Sequence, residues 1–129
     1  MRQLVTLSLL QQQSAAERLR GVTWSYQTEP SDMEVLGALL RTINTDPNVN
    51  VRLAAIDAVR NFSTSPVARR GLVQALPKQT SPLVQVALVD TLVDLKQTDA
   101  KPEIQTLLGS TELDPTVRDR FKQAVDKLQ

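Results

Sequence analysis

An apolar pattern recurs along the chain at a fixed spacing. Residues 51–59 (VRLAAIDAV) align with residues 84–92 (VQVALVDTL), with valine, alanine and aspartate in register. The same shift applied once more takes Val84 onto Val117. Repeats of this length are typical of stacked helical hairpins, because one hairpin alone cannot bury its apolar face. The spacing therefore predicts an all-α chain whose neighbouring hairpins share a core.

Prolines preceded by capping side chains mark the predicted helix starts. The side-chain oxygen accepts hydrogen bonds from free N–H groups of the first turn, and proline has no N–H to lose there. Pro77 has no such capping side chain before it and is expected to end or kink a helix. The capped pairs are Asp46-Pro47, Ser65-Pro66, Ser81-Pro82 and Asp114-Pro115, and the segments 14–17 and 31–34 match the S-x-x-E capping box.

These signals predict a single domain over residues 1–129. A divergent helix pair occupies residues 1–28, with helices near 2–12 and 15–27. Three hairpins follow at 32–62, 66–97 and 102–129, and their second helices are predicted at 47–62, 82–97 and 115–128. The apolar residues of the last helix form a single stripe, which is typical of the end of a repeat array.

The composition narrows the possible chemistry. The chain has no cysteine and no histidine, which excludes disulfides and histidine-based catalytic triads and leaves only carboxylates for a zinc site. Fifteen basic and fourteen acidic residues give no electrostatic reason for binding nucleic acid or an anionic membrane. We therefore expect no catalytic residues, no cofactor and no metal, and predict that the protein is not an enzyme.

Leucines are concentrated in the first predicted helix. The segment Leu4 to Leu10 (LVTLSLL) is too short to span a bilayer and is a minimal apolar region for a signal peptide, so we interpret it as an amphipathic helix. It has more apolar side chains than a narrow stripe requires. It could cover the first hairpin, continue an upstream element, or pair with a second copy of the chain.

The pattern D-P-x-V-x-V-R-L-A-A-x-x-A-V at residues 46–59 resembles the second helix of a HEAT repeat, and residues 114–118 (DPTVR) match its start. The resemblance implies a right-handed α-α superhelix of about three to four hairpins. It also implies protein binding and scaffolding along the surface formed by the second helices.

Three segments, residues 8–25, 46–62 and 79–96, give a closer resemblance. Together they are similar to the C-terminal HEAT domain of bacterial membrane proteins of the anti-sigma-factor-like kind. In that family a zinc-binding segment, a transmembrane helix and a coiled coil precede the repeats. The resemblance implies that this chain corresponds to the C-terminal domain of a membrane-anchored regulatory protein, on either side of the membrane. Without such a parent, we expect a cytoplasmic protein.

Two arginines follow the D-P-x-V pattern, at Arg52 and Arg118. The resemblance implies that each bonds to an aspartate of a neighbouring turn and so forms a ladder between repeats. Asp46 and Asp114 are expected to cap their helices. These four residues are therefore predicted to have structural roles.

Asp57 and Asp90 recur at the same point of two successive second helices, about 10 Å apart if those helices pack as neighbours. They form either a solvated or internally bonded face, or an acidic strip that receives a basic or hydrogen-bonding partner. The residues that we expect to bind a partner are Asn50, Asp57, Arg60, Asp90 and Asp94.

Two aromatic residues lie close together, at Trp24 and Tyr26. Residues two apart on a helix do not share a face, so one is expected to pack inside and the other to be more exposed, as core or as a partner anchor. Gly21, Gly37 and Gly71 lie inside predicted helices, where we expect them to permit close approach of a neighbouring helix.

The predicted function is a non-enzymatic protein-interaction or scaffolding module. An alternative is oligomerisation through residues 4–10, which would give a homodimer. A remote alternative is a HEAT-like enzyme such as a phycobilin lyase or a DNA glycosylase. The glycosylase requires a basic groove lined by aromatic residues, which this composition does not offer.

Overall fold

The computed structural model describes residues 1–129 and contains eight α-helices and no strand. The all-α prediction is confirmed, and the predicted bounds of the two N-terminal helices and of the three second helices are matched within three residues when the 3₁₀ turn after α4 is included. The helices are α1 (Arg2–Leu10), α2 (Ala15–Ser25), α3 (Met33–Thr45), α4 (Val49–Val59), α5 (Pro66–Ala75), α6 (Pro82–Asp94), α7 (Lys101–Leu108) and α8 (Pro115–Lys127).

The chain divides into two compact units, Met1–Ala68 and Arg69–Gln129. In the first unit α1 packs on α2 and α3 packs on α4, so each pair is a helical hairpin. The two hairpins stack with α1 on α3 and α2 on α4. The core of the first unit consists of fully buried aliphatic residues and one phenylalanine, among them Val35, Leu39, Ile43, Val51, Ile56 and Phe62.

The second unit contains the hairpin of α7 and α8, and α8 also packs on α6. Its core includes Leu72, Leu88, Ile104 and Phe121, all fully buried. The buried residues of α8 lie on one stripe, as the sequence predicts, and the charged residues of the helix other than the half-buried Arg118 are exposed.

Side-chain caps begin five of the helices, but two of them differ from the predicted residue. Asp32, and not Ser31, caps α3 by accepting from the N–H of Val35 at 3.1 Å. Asn48, and not Asp46, caps α4, and its Oδ1 accepts from the N–H groups of Asn50 and Val51. The reason is that α4 starts two residues later than Pro47 suggested. The other caps are Ser14 on α2, Ser81 on α6 and Asp114 on α8.

Pro77 acts as expected, since α5 ends at Ala75 and residues 76–78 form a 3₁₀ turn. In α1 the side chain of Leu10 is buried, whereas Leu4 is 67% exposed. Every helix in the structure is either too short or too polar to cross a membrane.

Gly21 is the glycine at which a close helix contact is required. A Cβ placed there would lie 2.8 Å from the backbone nitrogen of Leu10, so α1 and α2 touch at this point with no room for a side chain. The prediction of close approach is confirmed for Gly21. It is wrong for Gly37, where the nearest atom to an added Cβ is the Nη1 of Arg41 at an ordinary 3.5 Å.

Candidate functional site

In the second helix of each hairpin, the side chain of the fourth residue makes the same kind of hydrogen bond. That residue is Arg18 in α2, Arg52 in α4, Gln85 in α6 and Arg118 in α8. Each side chain donates a hydrogen bond to a main-chain carbonyl at or near the turn that precedes its own helix. Since the last carbonyls of a helix and the turn after it lack partners within the helix, these donors stabilise the turn between the two helices of a hairpin.

Three of these bonds span the same distance in sequence. Nη1 of Arg18 donates to the carbonyl of Gln12 at 3.0 Å, Nε of Arg52 donates to the carbonyl of Asp46, and Nε2 of Gln85 donates to the carbonyl of Gln79 at 3.0 Å. In each case the acceptor is six residues earlier.

Arg118 makes the corresponding contact across a longer turn. Its Nη1 and Nη2 atoms donate to the carbonyls of Leu108 at 2.7 Å and Ser110 at 2.6 Å. Leu108 is the last residue of α7. Arg118 therefore fixes the end of α7 against the start of α8, a contact within one hairpin in place of the aspartate contact that the family resemblance implied.

An arginine–aspartate contact between hairpins is found at Arg18. Its guanidinium forms two hydrogen bonds with the carboxylate of Asp46, at 2.6 Å and 3.2 Å, and so links α2 to the turn between α3 and α4. The Asp46 side chain is 4% exposed and also accepts from the N–H of Asn48 at 2.9 Å. Asp46 thus has a structural role, but as the partner of Arg18.

Arg18 is a residue that the sequence pattern did not single out, although a signal for it exists. Arg18, Arg52, Gln85 and Arg118 follow one another at nearly equal intervals, which match the spacing of the apolar repeat. The spacing of these donors therefore includes the first helix pair, whose sequence is divergent at other positions. The weak apolar match around Glu17 concealed this register, because Glu17 stands where the other copies have a valine, at Val51, Val84 and Val117.

The predicted partner-binding residues of the first unit lie on the exposed part of α4 and just after it. Asn50 is exposed, and the Asp57 side chain is 71% exposed. Nε of Arg60 lies 3.9 Å from Oδ1 of Asp57, which is a loose ion pair between residues three apart. These side chains are placed where a binding partner could reach them.

Tyr26 directly follows α2, which packs on α4, the helix that contains Asp57. Partial burial raises the pKa of the Tyr26 phenol above its usual value, and the negative charge of Asp57 raises this pKa further. Tyr26 is nevertheless 53% exposed, while Trp24 is half-buried. The expected division between a packed and an exposed aromatic side chain is therefore present, and Tyr26 is the exposed member.

Asp90 has a different neighbour in the second unit. Its Oδ2 accepts from Nη2 of Arg120 on α8 at 2.5 Å, and both side chains are 44% exposed. The pair crosses a cleft of about 270 Å³ between α6 and α8. The cleft is lined by Asp90, Val93, Asp94, Arg120, Gln123, Ala124 and Lys127.

Arg120 and Lys127 make the charge of this cleft mixed, where the sequence suggested an acidic strip. The sequence contains a signal for Arg120 as a neighbour of Asp90. One further step of the repeat takes Asp90 to Gln123, and Arg120 lies about one helical turn before Gln123. Asp57 and Asp90 are therefore equivalent in sequence but not in environment. The charge of Asp57 acts on the phenol of Tyr26, whereas Asp90 is paired with an arginine of the neighbouring helix.

The chain matches no protein-family model, no curated protein sequence and no solved structure. No group of three or more acidic side chains is placed to hold a metal ion.

Proposed function

We propose that the protein is a HEAT-like helical-repeat module that binds another protein through the exposed polar side chains of its second helices. The observation that carries this proposal is the shared donor at the fourth residue of α2, α4, α6 and α8. Four helices thus have the same kind of hydrogen bond near their first turn, and the donors recur at a nearly constant interval along the chain. Repetition of one supersecondary unit in this way is typical of repeat proteins, which act mainly as binding scaffolds.

The exposed polar residues other than these donors differ from one second helix to the next. α4 presents Asn50 and Asp57, whereas α6 and α8 present Asp90, Asp94 and Arg120 around a cleft. In each helix these exposed residues are different from the fourth residue, whose side chain stabilises the turn. Residues that vary on a repeated framework supply specificity for a partner, in the way that loops do on other scaffolds.

Site-specific photo-crosslinking in the organism that produces the protein would test this proposal. A photoreactive amino acid is placed singly at Asn50, Asp57 or Asp94 of the full chain. Matched controls carry it at exposed positions of first helices, Glu34, Gln74 and Gln105. We expect one common protein to be crosslinked from the second-helix positions and not from the controls. Equal crosslinking from both sets, or none from the second helices, would contradict the proposal.

The resemblance to membrane-anchored regulatory proteins adds a proposed setting. We expect the reading frame upstream of Met1 to encode a transmembrane segment followed by a coiled-coil stretch. Sequencing the gene with its upstream region tests this directly. A stop codon immediately upstream of Met1 would remove the membrane-anchored parent and leave the binding proposal intact.

A second candidate function is self-association through α1. It is favoured by the exposure of Leu4, at 67%, near the exposed Met1. Leu4→Glu places a charge on this surface without removing the buried Leu10. If α1 pairs with a second copy, the unsubstituted chain is a dimer by light scattering and the variant is a monomer. A monomer in both cases would exclude self-association at the concentrations used.

A further inference from the structure

α2 and α4 pack on each other in the first unit, and Arg18 near the start of α2 pairs with Asp46 just before α4, so the C-terminal ends of the two helices lie on the same side of the unit. Tyr26 directly follows α2, and Asp57 belongs to the last turn of α4. The last carbonyls of a helix carry a partial negative charge that stabilises cations nearby. This end of the unit therefore combines two negative helix ends with an aromatic ring and a carboxylate.

The Asp57 carboxylate has capacity for another partner. Its side chain is 71% exposed, and its ion pair with Arg60 spans 3.9 Å, which is too long for a hydrogen bond. Asp46 provides the contrast within the same unit, since its buried carboxylate accepts from Arg18 and from the N–H of Asn48. Asp57 therefore lacks the short hydrogen bonds that stabilise a carboxylate with a structural role.

The Tyr26 ring supplies a second attractive group at the same place. It is 53% exposed, and the charge of Asp57 adds to the effect of burial in raising the pKa of its phenol. A cation that lies over an aromatic ring gains about 0.5 to 1 kcal/mol at an exposed site. A cation placed between this ring and this carboxylate would interact with both.

We propose that the Tyr26–Asp57 corner, the surface formed by Tyr26, Asp57 and the C-terminal ends of α2 and α4, binds an arginine side chain of the partner protein. This inference rests on the proposed function and specifies the chemistry of the partner. Arginine fits better than lysine because its planar guanidinium stacks on an aromatic ring and presents several N–H donors to a carboxylate. The nearby Arg60 shows that a guanidinium is accommodated beside Asp57.

Peptide binding to the full chain tests the inference. The probe is acetyl-(Gly-Arg)3-amide, and its matched control contains citrulline, which has the shape of arginine without the charge. Nuclear magnetic resonance titration follows the amides of α2 and α4. We expect the arginine peptide to bind in a salt-sensitive manner and to shift the signals around Tyr26 and Asp57. The citrulline peptide should cause no shift there.

Four variants separate the contributions of the corner. Asp57→Asn and Tyr26→Leu are each expected to weaken binding about two- to fivefold, the change that corresponds to one exposed ion pair or cation–π contact. Tyr26→Phe retains the ring and should bind as the unsubstituted chain does. Asp119→Asn removes an exposed carboxylate of α8 and should change nothing. Since these side chains are exposed, circular dichroism should show the same helix content in all four variants.

The absorbance of Tyr26, the only tyrosine, gives an independent readout. Arginine stays charged near pH 10, so a guanidinium bound at the corner favours the phenolate and lowers the pKa of Tyr26. An unchanged Tyr26 titration in saturating arginine peptide would overturn the inference. So would equal binding of the citrulline peptide, or undiminished binding by Asp57→Asn.

The two proposals fail separately. Crosslinking of one partner from the second helices, together with no arginine binding at the corner, would retain the interaction module and remove the arginine assignment. Arginine-dependent binding without second-helix crosslinks in the cell would leave the chemistry of the corner and remove the proposed function.

Discussion

The Nε atom of Arg18 donates to Oδ2 of Asp46 at 2.6 Å, and Nη2 of Arg18 donates to Oδ1 at 3.2 Å. The same guanidinium also donates to the carbonyls of Gln12 and Gln13. One side chain thus joins three places: its own helix, the turn before it, and the turn of the next hairpin. Because the two side chains are only 12% and 4% exposed, the pair depends on both members being present.

We expect Arg18→Ala to lower the free energy of unfolding by about 3 to 5 kcal/mol, since it leaves a buried carboxylate without its counter-charge. Urea unfolding followed by the fluorescence of Trp24, the only tryptophan, reports on this unit. Arg20 is the matched control. Its pair with Glu17 is on the surface, with side chains 62% and 39% exposed, and Arg20→Ala should cost less than about 1 kcal/mol. Equal losses from the two substitutions would contradict a structural role for the Arg18–Asp46 pair.

In the second unit we expect Arg118→Ala to destabilise the hairpin of α7 and α8 by about 1.5 to 3 kcal/mol, because two carbonyls lose a charged donor. Arg118→Lys should recover only part of this loss, since a single ammonium does not reproduce the forked guanidinium. Circular dichroism during urea unfolding provides the measurement. Lys122→Ala, at an exposed position of α8, is the control and should be within about 0.5 kcal/mol of the unsubstituted chain.

The sequence predicted the helices well because their signals are local. Capping side chains, prolines and apolar periodicity all act within one or two turns. The end of α6 shows where such signals fail. The helix stops at Asp94, and Lys96 takes up the left-handed conformation at φ 54°. Glycine usually occupies such a position, so a lysine there gave no sign that the helix ends three residues before its predicted limit.

The candidate site was harder to predict because it depends on which side chains meet between helices. Asp57 and Asp90 occupy equivalent positions in the repeat, and the sequence alone treats them alike. Their surroundings are set by residues at non-equivalent positions, Tyr26 for the first and Arg120 for the second. One further step of the repeat indicates the part of α8 that contains Arg120, but periodicity does not predict that the two carboxylates have different neighbours.

Two helical glycines should respond in opposite directions to substitution by alanine. At Gly37 an added Cβ has ordinary space, and the higher helix propensity of alanine should stabilise the first unit by up to about 1 kcal/mol. At Gly21 the Cβ would meet the backbone of Leu10 at 2.8 Å and push α1 away from α2. We expect a net loss of about 1 to 2 kcal/mol there, since overpacking outweighs the propensity gain. Urea unfolding followed by Trp24 fluorescence measures both variants, and stabilisation by Gly21→Ala would contradict the close contact.

The pKa of Tyr26 tests the geometry of the Tyr26–Asp57 corner without any ligand. Burial and the charge of Asp57 both raise this pKa above the usual 10.0. Asp57→Asn removes the second cause, so the pKa should fall toward 10.0 but stay above it because burial remains. Ultraviolet absorbance titration measures this directly, since the chain has a single tyrosine.

The same shift sets the sign of the stability change at high pH. Because the folded pKa lies above the unfolded value, the contribution of neutral Tyr26 is complete below about pH 10 and is lost as the pH rises through the folded pKa. Asp57→Asn should therefore make this alkaline loss smaller. Asp119→Asn, in the other unit, is the control and should leave the titration of Tyr26 unchanged. An unaltered Tyr26 pKa in Asp57→Asn would mean that the phenol and the carboxylate are not neighbours in solution. That result would contradict the arginine site proposed at the Tyr26–Asp57 corner.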